Sequence, residues 1–425
     1  MTLAAIAITI LMIMAASEAQ AQTYTVIHNF TGGADGGGPD STLAIDAAGN
    51  LYGTAATGGN SSGNCYGSCG LVFKMKASGS GWVLTPLYAF TGGSDGSAPA
   101  GVVFGPDGAL YGTTTAGGVS CSSNRQYGCG TVFTVRPSAT VCKSALCPWS
   151  ESVLYRFTGS PGDGAAPNAP VAFDQAGNLY GTTVQGGVAN NFGCPYGHDW
   201  CGTVFELSPS DGGWTETVPY IFPLLGSAGQ NPESGLAIDA AGNLYGTALV
   251  GGVNGGGTVF ELTPSSSGWV ENNLYSLPDG NNTGDFPHGT LIFDPAGNLY
   301  GTTSVGGQNG GGTVFELSPS GGGWSYSLVY GLSGFEQDGP ETGVTRDSAG
   351  NLYGTAYELG NNAGQIFKLT PSNGGWTYTL LHQFDYNDGC LPVGGVTVDA
   401  HGNLFGTASA CGTYGSGVVW EITPN

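Results

Sequence analysis

Short apolar runs alternate with glycine-rich breaks along the chain, and the runs come in groups of four. The first ends at an aspartate, as in Leu43-Ala44-Ile45-Asp46 or Leu236-Ala237-Ile238-Asp239. The second is Gly-Asn-Leu-Tyr-Gly-Thr, at 49–54, 177–182, 242–247, 297–302 and 350–355, with variants at 108–113 and 402–407. It runs on to a Gly-Gly pair such as Gly251-Gly252. The third is Gly257 to Leu262 and its relatives, and the fourth starts at a tryptophan, as in Trp269 to Leu277. Each run is short, rich in Val, Thr, Tyr, Phe or Trp, and bounded by Gly, Pro, Asn or Asp, which predicts strands joined by tight turns. The link Asp46-Ala47-Ala48-Gly49-Asn50 predicts a hairpin, with the aspartate bonding its own turn amides.

The first three runs occur seven times, but the tryptophan-led run occurs six times, beginning at Trp82, Trp149, Trp214, Trp269, Trp324 and Trp376. The missing one lies at the other end of the chain. Ile27-His28-Asn29-Phe30 matches Leu87-Tyr88-Ala89-Phe90 and Leu381-His382-Gln383-Phe384. An open solenoid needs no such offset, whereas a closed ring of sheets uses it as a clasp. The expected fold is therefore all-β: a seven-bladed β-propeller of four-stranded antiparallel blades, with the N-terminal strand completing the last blade. Residues 22–425 form this single domain. Strand glycines such as Gly53 and Gly246 are expected to let neighbouring sheets approach, and Tyr and Trp rings to fill the wedges between blades.

Composition agrees. The 79 glycines follow no triplet period, which excludes collagen. Eight Lys and Arg against 30 Asp and Glu give a formal net charge of −22, a field that repels nucleic acid and anionic membranes. Leu3 to Ala16 is apolar and precedes Ala19-Gln20-Ala21, so residues 1–21 read as a signal peptide, although no basic residue precedes the apolar run. After its cleavage no membrane span is expected. Ten cysteines behind an export signal read as disulfides, with the pairs Cys65–Cys69, Cys121–Cys129, Cys142–Cys147, Cys194–Cys201 and Cys390–Cys411 inferred from proximity. A secreted or extracytoplasmic bacterial protein, monomeric, is expected.

The combination G-N-L-Y-G-T, Gly-Gly, G-T-V-F-E-L-T-P, G-W and L-Y-x-F resembles the GloVer tandem repeat of exported bacterial proteins, over residues 24 to 425. That resemblance implies fold and export, and it carries no catalytic residues.

Two sets of loops offer candidate chemistry on one face. Asp35, Asp95, Asp163, Asp338 and Asp388 each precede a glycine, mostly with a proline a few residues on. They read either as a carboxylate ring that takes Ca²⁺ or as repeated Asp-Gly turns. No cofactor is required by this reading, and Ca²⁺ is the candidate ion. The variable loops carry Tyr66, Arg125 and Tyr127, and then Phe192, Tyr196, His198, Asp199 and Trp200. Rings on stapled loops suit a sugar or a peptide, unless they fold back onto neighbouring blades. No G-x-S-x-G elbow, H-E-x-x-H or phosphate-loop motif is present. The first expectation is thus an exported, non-catalytic propeller that binds an extracellular carbohydrate or cell-surface polymer, or in second place a protein, through its loop-rich face. The alternatives are a lyase or glycan-processing enzyme with a divalent metal, and a structural surface-array protein.

Overall fold

The computed structural model describes residues 22–59, 65, 69–121, 128–138, 149–159, 161–187, 201–223, 227–278, 283–307, 310–334, 339–357 and 363–424. The expected signal peptide, 1–21, lies outside them. Seven four-stranded antiparallel sheets form the blades of a propeller. Blade 1 runs Ala44–Ile45, Leu51–Ala55, Leu71–Ser78 and Gly81–Ala89, from inner to outer strand. Blades 2 to 6 repeat this order. Blade 7 takes its inner three strands, Thr397–Val398, Leu404–Ala408 and Val418–Thr423, from the C-terminus and its outer strand, Thr23–Asn29, from the N-terminus. The clasp read from the missing run is thus present. No helix among the described residues is long and apolar enough to cross a membrane.

The core lies between blades. One cluster packs Tyr180, Val204 and Phe222 of blade 3 on Leu236, Leu244 and Phe260 of blade 4. The motif tyrosine turns into this wedge and meets the tryptophan of the next blade. Tyr111 lies 6.2 Å from Trp214 and Tyr180 lies 6.0 Å from Trp269, ring centre to ring centre. Its hydroxyl also donates to the hairpin aspartate, as Tyr52 does to Asp46 Oδ2 at 3.0 Å. The Asp46 Oδ1 atom accepts from the amides of Ala48 and Asn50 at 2.9 Å, so the hairpin aspartates are turn residues.

The motif glycine serves a different purpose from the one expected. Gly301 pairs across the strand with Phe315, and a Cβ there would sit 2.4 Å from Phe315 Cζ. The glycine makes room for a ring of its own blade, not for a neighbouring sheet. Phe73, Phe133, Phe205, Phe260, Phe315, Phe367 and Trp420 take this place in turn, all fully buried.

The motif threonine ties blade to blade. Its hydroxyl donates to a carbonyl in the segment leading into the inner strand of the next blade: Thr113 to Ala169 O at 2.9 Å, Thr182 to Ser234 O at 2.7 Å, Thr407 to Ser41 O at 3.2 Å. Buried polar groups need such partners, and here the partner is the neighbouring blade.

Candidate functional site

One proline recurs in every blade, just before the inner strand: Pro39, Pro99, Pro167, Pro232, Pro287, Pro340 and Pro392. The residue before it is left-handed in six blades. Gly38, Ala98, Ala166, Asn231, Phe286 and Leu391 have φ between 52° and 59°. Non-glycine residues avoid this region, and such strain persists only where the surroundings impose it. The surroundings are visible. Ala98 N donates to Cys69 O at 3.0 Å, Ala166 N to Cys129 O at 2.8 Å, and Asn231 N to Cys201 O at 3.0 Å, each in the preceding blade. The carbonyls of Ala166, Asn231 and Leu391 accept from their own second strands at 3.0–3.1 Å.

The proline then seats on the glycine that opens the third strand of the preceding blade. A Cβ on Gly70, Gly130, Gly202, Gly257, Gly312, Gly364 or Gly417 would lie between 2.3 and 3.1 Å from that proline's Cδ. Only glycine leaves this socket open. The cysteines at 69, 129 and 201 come directly before three of these glycines, so the stapled loops also brace the sockets. Cys65–Cys69, Cys121–Cys129 and Cys390–Cys411 are bonded as inferred, and Cys201 is disulfide-bonded. Cys142, Cys147 and Cys194 lie outside the described residues.

Gly257→Ala tests the socket. The new Cβ would meet Pro287 Cδ at 2.5 Å and the carbonyl oxygens of Leu249 and Ala248 at 2.6 and 2.7 Å, at a φ of +95°. Backbone atoms cannot yield, so a loss of about 3 kcal/mol in urea unfolding is expected. Wild-type stability in this variant would refute the socket.

The residue after the proline is delivered to the central channel. These residues are Asp40, Asn168, Glu233, His288 and Glu341, and they line one cavity of about 720 Å³. Ala100 and Val393 hold the same place in blades 2 and 7 and leave that side apolar. Glu233, His288 and Glu341 come from three successive blades. Thr302 holds blades 5 and 6 together beside them, its Oγ1 lying 2.8 Å from His288 O and 2.7 Å from Thr342 O.

The electrostatics of the channel are unusual. Burial pushes the His288 imidazole down to about 4, so it is neutral, with a free acceptor nitrogen, at ordinary pH. Burial, and secondarily the charge of Glu233, pushes the Glu341 carboxyl up to about 7. Glu233 is itself raised by burial. Asp40 meets channel water yet is walled in by protein, which pushes it up to about 7. A base below its normal range beside an acid above it is the pattern of an acid–base site.

The loop residues expected from the sequence are placed elsewhere or are not described. Tyr66, Arg125, Tyr127, Phe192, Tyr196, His198, Asp199, Trp200 and Asp338 lie outside the described residues. Asp35, Asp95, Asp163 and Asp388 serve their own loops and the outer strand. Asp95 Oδ2 accepts from Thr91 N at 2.8 Å and from Tyr88 Oη at 2.9 Å, and Asp388 Oδ2 meets His382 Nε2 at 2.8 Å. Among the described residues no three His, Cys, Asp or Glu side chains converge to hold one metal ion. The channel ring was missed because its members share no residue type; only the recurrent proline before them signals the position.

A family model for the Gloeobacter/Verrucomicrobia repeat matches residues 12–191, 118–330 and 270–425. The chain belongs to this family. The match bears out the resemblance to the GloVer repeat, and with the disulfides it fits an extracytoplasmic protein. No protein of curated function matches this repeat protein in sequence. Solved structures share its fold. A candidate 6-phosphogluconolactonase from Bacteroides uniformis is 14% identical, with a TM-score of 0.50 over 79% of this chain and 84% of that one. A gluconolactonase from Xanthomonas campestris is 13% identical, with a TM-score of 0.44 over 92% and 88%. The extracellular domain of a candidate hybrid two-component system from B. thetaiotaomicron is 9% identical, with a TM-score of 0.55 over 94% of this chain and 39% of that one.

These findings correct the expected function. The expected non-catalytic propeller working through its loops does not stand: a propeller named as a candidate 6-phosphogluconolactonase shares its fold, and Glu233, His288 and Glu341 line the channel. Loop variation drew attention outward, while Glu233, His288 and Glu341 face the axis.

The same carboxyls set the response to pH. Glu151 and Glu216, between outer strands, are also pushed up to about 7, by burial first and then by Asp95 and Asp163 respectively. A carboxyl raised in the folded state stabilises below its unfolded pKa, and that stability is lost as pH rises through about 7. His288, His28 and His382, all lowered by burial, pull the other way below their unfolded value, three groups against seven raised carboxyls. The melting temperature is therefore expected to be higher at pH 5 than at pH 8. An equal or higher value at pH 8 contradicts the sign.

Proposed function

We propose that this repeat protein is an acid–base hydrolase that opens a small cyclic ester in its channel. One observation carries the reading: His288 and Glu341, delivered by equivalent prolines, have proton affinities displaced in opposite directions. Hydrolysis of an ester needs a base to take a proton from attacking water and an acid to protonate the leaving oxygen. Neutral His288 serves as the base and protonated Glu341 as the acid. Glu233 raises the Glu341 carboxyl by its charge. Asn168, exposed in the channel, offers hydrogen bonds to substrate hydroxyls. The lactone itself is suggested by the name of the B. uniformis neighbour, a relation of fold only.

Proton release from five- and six-membered sugar lactones, followed in a pH-stat against the uncatalysed rate, tests this. Saturable acceleration with at least one lactone is expected. A panel hydrolysed at the background rate overturns the proposal.

A further inference from the structure

Every cation among the described residues is directed away from the channel. Lys74 and Lys368 lie over the rings of Tyr52 and Tyr353, at 5.1 and 5.6 Å from the ring centres. Arg136 meets Asp107 Oδ2 at 3.4 Å, and Arg156 Nε donates to Ser94 O at 2.7 Å. Arg346 follows channel-lining Thr345 on the inner strand, and its guanidinium reaches back to the hairpin, with Nη2 3.1 Å from where a Gly350 Cβ would be. Lys76 is exposed on a third strand. The remaining two, Arg125 and Lys143, lie outside the described residues. The described channel lining therefore has three carboxyl groups, one neutral histidine and no Lys or Arg.

We infer that the channel selects by charge: it accepts an uncharged polyhydroxylated lactone and rejects its phosphorylated form. This rests on the lactone reading above and adds to it the substrate's charge. A phosphate monoester carries one to two negative charges near neutrality. Among the described lining residues it finds no Lys or Arg to pair with, so burying its charge there goes uncompensated.

The same charge arrangement favours turnover in one direction. Water adds its oxygen to the acyl carbon, the acyl–ring oxygen bond breaks, and the ring oxygen leaves as a hydroxyl with the proton from Glu341. His288 holds the proton taken from water. The new carboxylic acid ionises, giving its proton to the solvent or to Glu341. The neutral substrate thus becomes an anion among described lining residues that offer no cation to hold it. Weak product inhibition follows.

The test compares D-glucono-1,5-lactone with its 6-phosphate, using full-length protein at pH 6.5. The kcat/KM for the unphosphorylated lactone should exceed that for the phosphate by about 10–100-fold. Val393→Lys, at the apolar ring position of blade 7, should narrow this ratio about 10-fold and strengthen inhibition by gluconate. Asp40→Asn, compared with the wild type also at pH 7.5 where Asp40 is ionised, changes the charge without adding bulk and should shift the ratio in the same direction. Melting curves establish that both variants fold. Equal rates on the two lactones overturn charge selection and leave the lactonase reading standing. A preference that neither folded variant moves also overturns it, since the discrimination would then be steric. Hydrolysis of neither lactone overturns the lactone reading and this inference with it.

Discussion

Replacing His288 by alanine, or Glu341 by glutamine, lowers the turnover of a hydrolysed lactone about 10²–10⁴-fold, the usual contribution of one positioned acid or base. The pH profile separates the two roles. His288 must be deprotonated, so activity rises through about 4; Glu341 must be protonated, so activity falls through about 7. The wild type gives a bell between these limits. Glu341→Gln removes the alkaline limb, while Asp40→Asn, which also titrates at about 7, leaves it in place. The residual rate, the limbs and the melting temperature are measured together. Both variants folded and fully active would exclude this pair. An alkaline limb lost with Asp40 instead would move the acid to blade 1.

Removing residues 22–30 abolishes cooperative folding. The strand Thr23–Asn29 pairs with Val418–Thr423 from Thr23↔Thr423 to Asn29↔Val418. It also binds the blades on either side. Tyr24 stacks on His382 with ring centres 3.5 Å apart and donates to Asp388 O at 2.9 Å. Phe30, fully buried, packs edge-on against Phe73 of blade 1 at 5.4 Å. One segment therefore joins blades 6, 7 and 1, and its loss exposes an unpaired strand edge and an apolar wedge. Phe30→Ala alone should cost about 3–5 kcal/mol. A peptide of residues 22–30 added to the truncated chain should restore a single melting transition. If the truncated chain melts cooperatively within a few degrees of the full one, the ring does not depend on this clasp.

The site and the fold were legible to different degrees for a physical reason. Asp46, Gly49 and Asn50 specify their hairpin within five residues of chain, and the strands around them follow a local period of two. The offset of the tryptophan-led run is a count along the sequence, and the count determined closure. The role of Gly301 was misread because its partner, Phe315, lies on the adjoining strand of the same blade, and only strand register identifies it. The tie from Thr182 to Ser234 O joins different repeats, so no local pattern along the chain encodes it.

By itself the sequence determined seven repeats, their four strands, their hairpin turns and the clasp that closes them. Tertiary structure alone decided which side chains share the channel. Glu233, His288 and Glu341 are more than fifty residues apart from one to the next, and each follows a proline that by itself reads as a turn. They share a cavity only because closing the ring brings every inner strand to one axis. They acquire displaced proton affinities only because that axis is enclosed by protein. Burial and proximity of this kind belong to the assembled ring, and no single repeat contains them.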